Sequence, residues 1–231
     1  MISVAGAPYD TMQEVIGTAG DEETKRASLI GNGVLYDEVP LLNGSDIDFE
    51  TLEKMVDETT TMVLIQRSKG YSTRKSLSIE TIEQGMFASC KKLETVVLSS
   101  ALKEIGQNAF VMCKSLETIV LPTGLTTIGQ SAFSGCSALK EIAFPDSLTE
   151  ISFHAFYDCD SLTKLVIPDS VNKIESSAFS SSSSLEYLYI GKGIVDIPNG
   201  AFATESIKKV ILHNSVKRVS NQAFINSNVE D

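Results

Sequence analysis

The chain has 231 residues, of which 42% are apolar and 21% charged, as in an ordinary globular protein. Its net charge is −11 and it has no cluster of lysine or arginine, so we expect neither nucleic acid nor anionic lipid as a partner. No apolar run reaches the ~20 residues of a membrane helix, so we expect no membrane insertion. Residues 1–6 lack the basic and apolar regions of a signal peptide, which predicts a cytoplasmic protein.

Residues 1–81 contain no repeat, and their pattern alternates between strands and helices. Three strands and two helices are predicted, the strands over 3–5, 34–42 and 61–66 and the helices over 11–16 and 49–57. The run Met62–Ile65 is apolar throughout, as in a strand that is buried on both faces. This alternation predicts a small amino-terminal α/β segment.

Three stretches of this segment resemble one enzyme family: GAPYDTMQEVIG at 6–17, IDFETL at 47–52 and TTMVLIQRSKGYSTRKSLSI at 60–79. They are similar to part of the large domain of the pyridoxal-phosphate proteins related to methionine gamma-lyase, the aluminium-resistance proteins. The resemblance implies that Tyr9 lies beside the cofactor. The family's phosphate loop, its pyridinium-binding aspartate and its Schiff-base lysine have no counterpart here, so we expect no cofactor. The segment is interpreted either as an inactive relic or fused fragment of such a lyase, or as a cap for the residues that follow.

Cysteine and phenylalanine recur at a fixed spacing in residues 82–231. The four cysteines are each 23 residues apart, at Cys90, Cys113, Cys136 and Cys159. Phenylalanines keep the same interval from Phe87 to Phe202, and Phe224 follows after 22 residues. The units fit the pattern I-x-x-x-A-F-x-x-C-x-x-L-x-x-[IVL]-x-[LFI]-P-x-x-[LV]-x-x. A period in the twenties with such a leucine-rich core is typical of leucine-rich repeats, in which each turn contributes a short strand.

This pattern resembles the BspA-type leucine-rich repeats of many bacterial and protozoan surface proteins. The resemblance implies an α/β solenoid of about six 23-residue turns, with parallel strands stacked on one face, in a family that is often secreted or at the cell surface. The first, fourth and sixth strand places are predicted to face the core, as in Leu116, Ile119 and Leu121. The last full turn has Ile207, Val210 and Leu212 at these places. Residues 219–231 begin a seventh repeat, which predicts truncation or self-association at that end.

The cysteines suggest a zinc site, disulfides or a buried ladder. Zinc sites use pairs such as C-x₂-C that converge on one point, whereas these thiols lie one turn apart and form a line. We therefore expect a buried ladder without a metal, with Ser182 and Glu205 at the same place in later turns. His154 and His213 lie away from other candidate ligands. Because His154 takes the place of Asn108, we expect a solvent-facing residue and not a catalytic base.

The outward strand places form the candidate binding face. The second, third and fifth places alternate with the inward ones, and the fifth place is apolar in each turn. The candidate residues are Val97, Val120, Val166, Tyr187, Tyr189, Ile211, Lys164 and Lys209. A stripe of apolar residues that ends in two tyrosines is typical of a contact surface, although valine, isoleucine and tyrosine also simply suit strands. We expect a non-catalytic interaction module that binds a protein or a surface glycan, the alternative being the lyase relic.

Overall fold

The computed structural model of the chain describes residues 2–4, 37–39, 41–42, 46–47, 51, 54–55, 60, 62–65 and 80–227. Residues 80–227 form a β-solenoid of about six turns with a spacing of ~23 residues. In chain order the described strands are β1 (Ile2–Val4), β2 (Asp37–Val39), β3 (Leu41–Leu42), β4 (Asp46–Ile47), β5 (Met62–Ile65), β6 (Thr81–Ile82), β7 (Thr95–Val97), β8 (Glu104–Ile105), β9 (Thr118–Ile119), β10 (Thr127–Ile128), β11 (Glu150–Ile151), β12 (Lys164–Ile167), β13 (Lys173–Ile174), β14 (Tyr187–Ile190), β15 (Asp196–Ile197), β16 (Lys209–Leu212) and β17 (Arg218–Val219).

The solenoid has two stacks of parallel strands. The front stack consists of β7, β9, β12, β14 and β16, and the side stack of β6, β8, β10, β11, β13, β15 and β17. The expectation of strands on one face alone was therefore wrong. Each side strand has only two residues, which is too short for a period to be read from the sequence. The first is polar or charged and the second is a buried isoleucine, except in β17, where Val219 is exposed. In the third turn, residues 139–144 are not a strand, so the front stack is divided after β9.

The inward strand places fill the core. In β12, Lys164 and Val166 are exposed whereas Leu165 and Ile167 are completely buried, as alternation in a strand requires. The predicted inward places are buried or half-buried through the fifth turn. The prediction fails at Leu212, which is 42% exposed. This residue lies on β16, the edge of the front stack, and no further front strand covers it among the described residues.

Stacked phenylalanines form the second wall of the core. The rings from Phe87 to Phe224 follow one another at centroid distances of 5.1–5.6 Å. In the second turn, Phe110 lies between two left-handed residues, Asn108 (φ 57°) and Met112 (φ 61°). This backbone directs alternate N–H groups towards the next turn, where Phe110 donates to the carbonyl of Ala132 at 2.7 Å. Backbone hydrogen bonds therefore hold successive turns at a fixed spacing.

The sixth turn is shorter by one residue, and the missing residue lies just after its phenylalanine. Thr204 is buried, with its hydroxyl donating to the carbonyl of Ser182 at 2.9 Å, whereas Glu205 is exposed. The backbone of the sixth turn also lacks the second left-handed residue, which the other turns have two places after their phenylalanine. The prediction that Glu205 follows the cysteines in the buried ladder was therefore wrong, because the shortened turn shifts the register.

The amino-terminal strands continue the front stack. The sheet order is β2-β1-β5-β7-β9, and β5 pairs with β7 in parallel, with Val63 opposite Val96 and Leu64 opposite Val97. Each of the three strands predicted from the sequence has a counterpart: β1 overlaps the first, β2 and β3 lie within the second, and β5 lies within the third. β3 pairs with β4 in an antiparallel hairpin. Thr51, Lys54 and Met55 have helical conformation, but the residues between them are outside the described part. The helix predicted over 49–57 stays a prediction, and the one over 11–16 lies outside the described residues.

Candidate functional site

The candidate residues of the sequence all lie on the outward side of the front stack. Lys164 and Lys209 are exposed, and so are Val97, Val120 and Val166, with Val120 at 82% exposure. Tyr187, Tyr189 and Ile211 are half-buried. Valine exposed to this degree contributes nothing to the core, so strand propensity or contact with a partner accounts for it.

Strand register separates these residues into two groups. In the carboxyl-terminal group, Tyr187 is paired with Lys164 on one side and Lys209 on the other, and Tyr189 with Val166 and Ile211. Val97 lies on β7 and Val120 directly follows β9, and both of these strands belong to the other sheet. We call the carboxyl-terminal group the tyrosine face, which consists of Lys164, Val166, Tyr187, Tyr189, Lys209 and Ile211.

The tyrosine face carries two cations that have no acidic partner in the part of the chain that the structure describes. Most ion pairs among residues 80–227 join a cation to a carboxylate of the preceding turn, as between Lys140 Nζ and Glu117 Oε2 at 2.7 Å. Within the described residues, Lys164 and Lys209 belong to no such pair. Lys164 Nζ lies 5.4 Å from the ring centroid of Tyr187, within the range of a cation–π interaction. The face is therefore positively charged in a chain whose net charge is −11.

The four cysteines form the predicted buried ladder, and none of them is in a disulfide within the described residues. The sulfurs of Cys113, Cys136 and Cys159 donate to phenylalanine carbonyls of the preceding turn, as from Cys136 Sγ to Phe110 O at 3.2 Å. Burial raises the pKa of the Cys136 thiol to about 12. A hydrogen bond with Cys90, followed by burial, raises the pKa of Cys113 well above its ordinary range. Thiols held protonated in this way are poor nucleophiles, so the ladder is structural.

One cluster of side chains escaped the sequence interpretation. His154 is half-buried and lies between Phe153 and Tyr157, with ring centroids at 3.8 and 4.8 Å. Burial lowers the pKa of His154, which keeps the imidazole neutral near pH 7. The signal in the sequence was a single turn with aromatic residues at three places where the other turns have none. His213 lies elsewhere and pairs through Nδ1 with the hydroxyl of Ser215 at 3.3 Å.

Neither a metal centre nor a membrane span emerges from the described part of the chain. Its histidines, cysteines and carboxylates nowhere form a group of three that is able to hold a metal ion. None of its helical residues belongs to a helix with the length and apolar character needed to cross a bilayer.

Two family models match different parts of the chain. Residues 103–230 match the BspA type leucine rich repeat region in six copies, and residues 1–100 match methionine gamma-lyase. An uncharacterized 33.9 kDa protein of Lactobacillus delbrueckii subsp. bulgaricus is 42% identical over 87 residues, which are 37% of this chain and 27% of that protein. The chain spans only between a fifth and about a quarter of the length of the curated relatives that it matches.

Two crystal structures of bacterial repeat proteins resemble the chain. The leucine-rich-repeat protein of T. pallidum is 31% identical with a TM-score of 0.63, over 68% of this chain and 72% of that chain. A leucine-rich-repeat protein of Bacteroides ovatus is 26% identical with a TM-score of 0.62, over 74% of this chain and 50% of that chain. The solenoid and its spacing thus have experimental counterparts.

Pyridoxal phosphate is the cofactor that the lyase match implies. A lysine that holds this cofactor must lie within a pocket, yet every described lysine, at 54 and between 91 and 217, is exposed. The described residues therefore do not fit the cofactor, and we assign no catalytic role to them. Tyr9, which the resemblance places beside the cofactor, lies outside the described residues.

Proposed function

Because the chain belongs to the BspA-type leucine-rich-repeat family, we propose that it is an interaction module whose tyrosine face binds an acidic region of a partner protein. The observation that carries this proposal is the row Lys164–Tyr187–Lys209 on adjacent strands, in which neither cation has an acidic partner among the described residues. The repeat family and the solenoid account for a binding role in general. The choice of partner rests on the chemistry of this row.

The composition of the face supports a protein ligand. Tyrosine brings a large contact area at a low cost in side-chain entropy and is enriched among residues that dominate binding energy. The half-buried state of Tyr187 and Tyr189 means that their rings are already partly ordered before a partner arrives. The two lysines add attraction for carboxylates, which increases the association rate at low salt.

A double variant tests the proposal. The parent chain and Tyr187→Ala/Tyr189→Ala would be used side by side for affinity capture, and each captured protein would then be titrated against both. We expect the double variant to lose ~1–3 kcal/mol of binding free energy with little change in melting temperature, because both side chains lie on the outward side. The parent's affinity should also fall as salt is increased.

Val97→Ala/Val120→Ala provides a matched control, since it shortens outward residues of the other sheet. This control should bind the partner as tightly as the parent does. Equal affinity of the parent and the tyrosine variant would place the binding site elsewhere. A large fall in melting temperature for the tyrosine variant would mean that the rings support the core instead.

For the amino-terminal segment we infer a capping role. An open solenoid exposes the edge of its first strand, and a terminal cap keeps such an edge from pairing with other chains. The parallel pairing of β5 with β7 supports this role, because it covers the first front strand of the repeats.

The lyase match over residues 1–100 favours a second candidate, an inactive relic that retains affinity for pyridoxal phosphate. Mixing the protein with this cofactor, followed by borohydride reduction and peptide mapping, distinguishes the two. Labelling of one lysine within residues 1–81 at a stoichiometric level would support the relic. Weak labelling spread over many exposed lysines is expected of the interaction module.

A further inference from the structure

The aromatic cluster of the fourth turn, Phe153, His154 and Tyr157, lies beside the phenylalanine stack and not on the front strands. His154 stacks on Phe153 with an interplanar angle of 26°, and its ring contacts that of Tyr157 at a tilt of 41°. Phe153 is still 37% exposed and Tyr157 36% exposed. Both of these side chains therefore remain partly accessible to solvent beside the histidine.

The fold does not require these rings. Three places before the stacked phenylalanine, the other turns have glutamine, asparagine or serine; two places before it they have a small or polar residue. The third turn carries Gln130, Ser131 and Ser134 at the three corresponding places. Because the same backbone forms there without aromatic side chains, three adjacent rings in one turn, two of them exposed, represent a surface feature with its own use.

Two acidic residues adjoin the cluster, one by a hydrogen bond and one in sequence. Glu175 Oε2 accepts a hydrogen bond from the backbone N–H of Phe153 at 2.9 Å, and Asp158 directly follows Tyr157. A hydrogen bond from Lys173 holds the pKa of Glu175 below its usual range. Lys173 is itself shared between Glu150 and Glu175, at 2.6 and 2.8 Å, so its charge is balanced. The rim of the cluster is therefore negative at neutral pH.

We propose that the cluster binds a cationic protein segment, with an arginine or lysine lying against the outer face of Phe153 or Tyr157 and facing Asp158 or Glu175. The face of an aromatic ring attracts a cation because of its quadrupole, and nearby carboxylates add to this attraction. Exposed aromatic rings with a charged rim are also the composition of a protein contact surface. Nucleic acids and acidic proteins are repelled by the same carboxylates.

The preferred charge separates this site from the tyrosine face, where unpaired lysines favour an acidic partner. The two surfaces lie on different segments of the fourth turn, since Lys164 and Val166 belong to β12 and the cluster to residues 153–157. A solenoid with both surfaces would hold two partners, or two regions of one partner, of opposite charge.

A variant that copies the third turn tests the site. Phe153→Gln/His154→Ser/Tyr157→Ser installs the residues that the fold already accepts one turn earlier, so it should fold and keep its melting temperature. The probe is a short fluorescent peptide that alternates arginine and leucine, and its anisotropy reports binding. We expect the triple variant to bind this peptide about tenfold more weakly than the parent, or worse. A peptide with glutamate in place of arginine should bind both proteins equally, because the triple variant leaves the tyrosine face unchanged.

Two further variants sharpen the outcome. Asp158→Asn should weaken binding of the arginine peptide several-fold and reduce its dependence on salt, whereas Tyr187→Ala/Tyr189→Ala should leave it unchanged. The proposal for the tyrosine face and the proposal for this cluster are thus tested by different variants and different ligands, so one can be refuted without the other. Equal affinity of the parent and the triple variant for the arginine peptide overturns the proposal. Binding of maltoheptaose in place of the peptide, lost in the triple variant, also overturns it and makes the cluster a sugar site.

Discussion

Truncation of one stacked phenylalanine tests how the solenoid is held together. Phe133 belongs to a central turn and is completely buried. Its ring lies between those of Phe110 and Phe156, at centroid distances of 5.2 and 5.1 Å. Phe133→Ala removes the ring from a stack that continues on both sides of it.

The structure places the cost towards the upper end of the usual range. Truncation of a buried phenylalanine to alanine costs ~3–5 kcal/mol, and it costs most where the surroundings do not collapse into the cavity. Here the backbone of Phe133 donates to Ala155 O at 2.8 Å, and Phe110 donates to Ala132 O at 2.7 Å, so the turns on both sides stay at their spacing. Two ring contacts, each worth ~0.5–1.5 kcal/mol in other proteins, are lost together.

Phe224→Ala is the matched comparison. Phe224 is half-buried and has one ring neighbour among the described residues, Phe202 at 5.6 Å. Because only one face of the Phe224 ring is covered by a neighbouring ring, Phe224→Ala in the 231-residue chain should cost ~1–2 kcal/mol of unfolding free energy. This is less than half of the loss expected at Phe133.

Urea denaturation followed by circular dichroism measures both losses, since the chain has no tryptophan to serve as a fluorescent probe. The slope of the free energy of unfolding against urea concentration must stay the same for the comparison to hold, because repeat proteins sometimes unfold in parts. Equal losses at Phe133 and Phe224 would refute a linear stack in which each ring is stabilised by its two neighbours.

Three further perturbations probe the ladder of thiols, the amino-terminal strands and the surface ion pairs. The pKa of Cys136 is about 12, above that of an unfolded thiol, so its burial stabilises the fold below about pH 9 and this contribution is lost as pH rises. Cys136→Ser copies the buried Ser182, whose hydroxyl donates to Phe156 O. In urea melts, its free energy of unfolding should fall less between about pH 7 and about pH 10 than that of the parent. Val63→Pro removes a backbone donor at the pairing of β5 with β7 and should lower the melting temperature of the repeats; an unchanged value would contradict a capping role. Lys140→Ala should cost only ~0–1 kcal/mol in the same urea assay, because both partners of its ion pair are largely exposed.

The spacing of phenylalanine and cysteine was sufficient to predict the core. Residues one period apart lie above one another in a solenoid, so the period alone predicts that Phe110 and Phe133 stack. The place of the missing residue in the sixth turn was not predictable in the same way. The position of Ile207 shows that one residue is absent between Phe202 and Ile207, but only the structure distinguishes Thr204 from Glu205 as the buried residue.

The candidate site was predictable in part. Alternation along a strand correctly indicated that Tyr187 and Tyr189 point outward. Which lysines lack an acidic partner depends on contacts between turns: Lys208 pairs with Glu186 at 2.8 Å, whereas the adjacent Lys209 lies in the row of Tyr187. The aromatic cluster at residues 153–157 was not predicted, because it occurs in a single turn and therefore has no periodic signal in the sequence.

Glycine at a left-handed position gives a last test of the turn backbone, since the same substitution should have opposite effects at two sites. Gly85 has φ +68°, and an added Cβ would meet nothing within 4 Å, so Gly85→Ala isolates backbone strain and should cost ~1–2 kcal/mol. Gly124 has an ordinary φ, and its added Cβ would meet only carbonyl oxygens at 3.7 Å. Gly124→Ala should therefore stabilise the chain by ~0.4–1 kcal/mol, because it restricts the unfolded state without strain in the folded one. A loss of similar size at both positions in urea melts would show that contacts between turns, and not the left-handed backbone, decide which residues the turns accept.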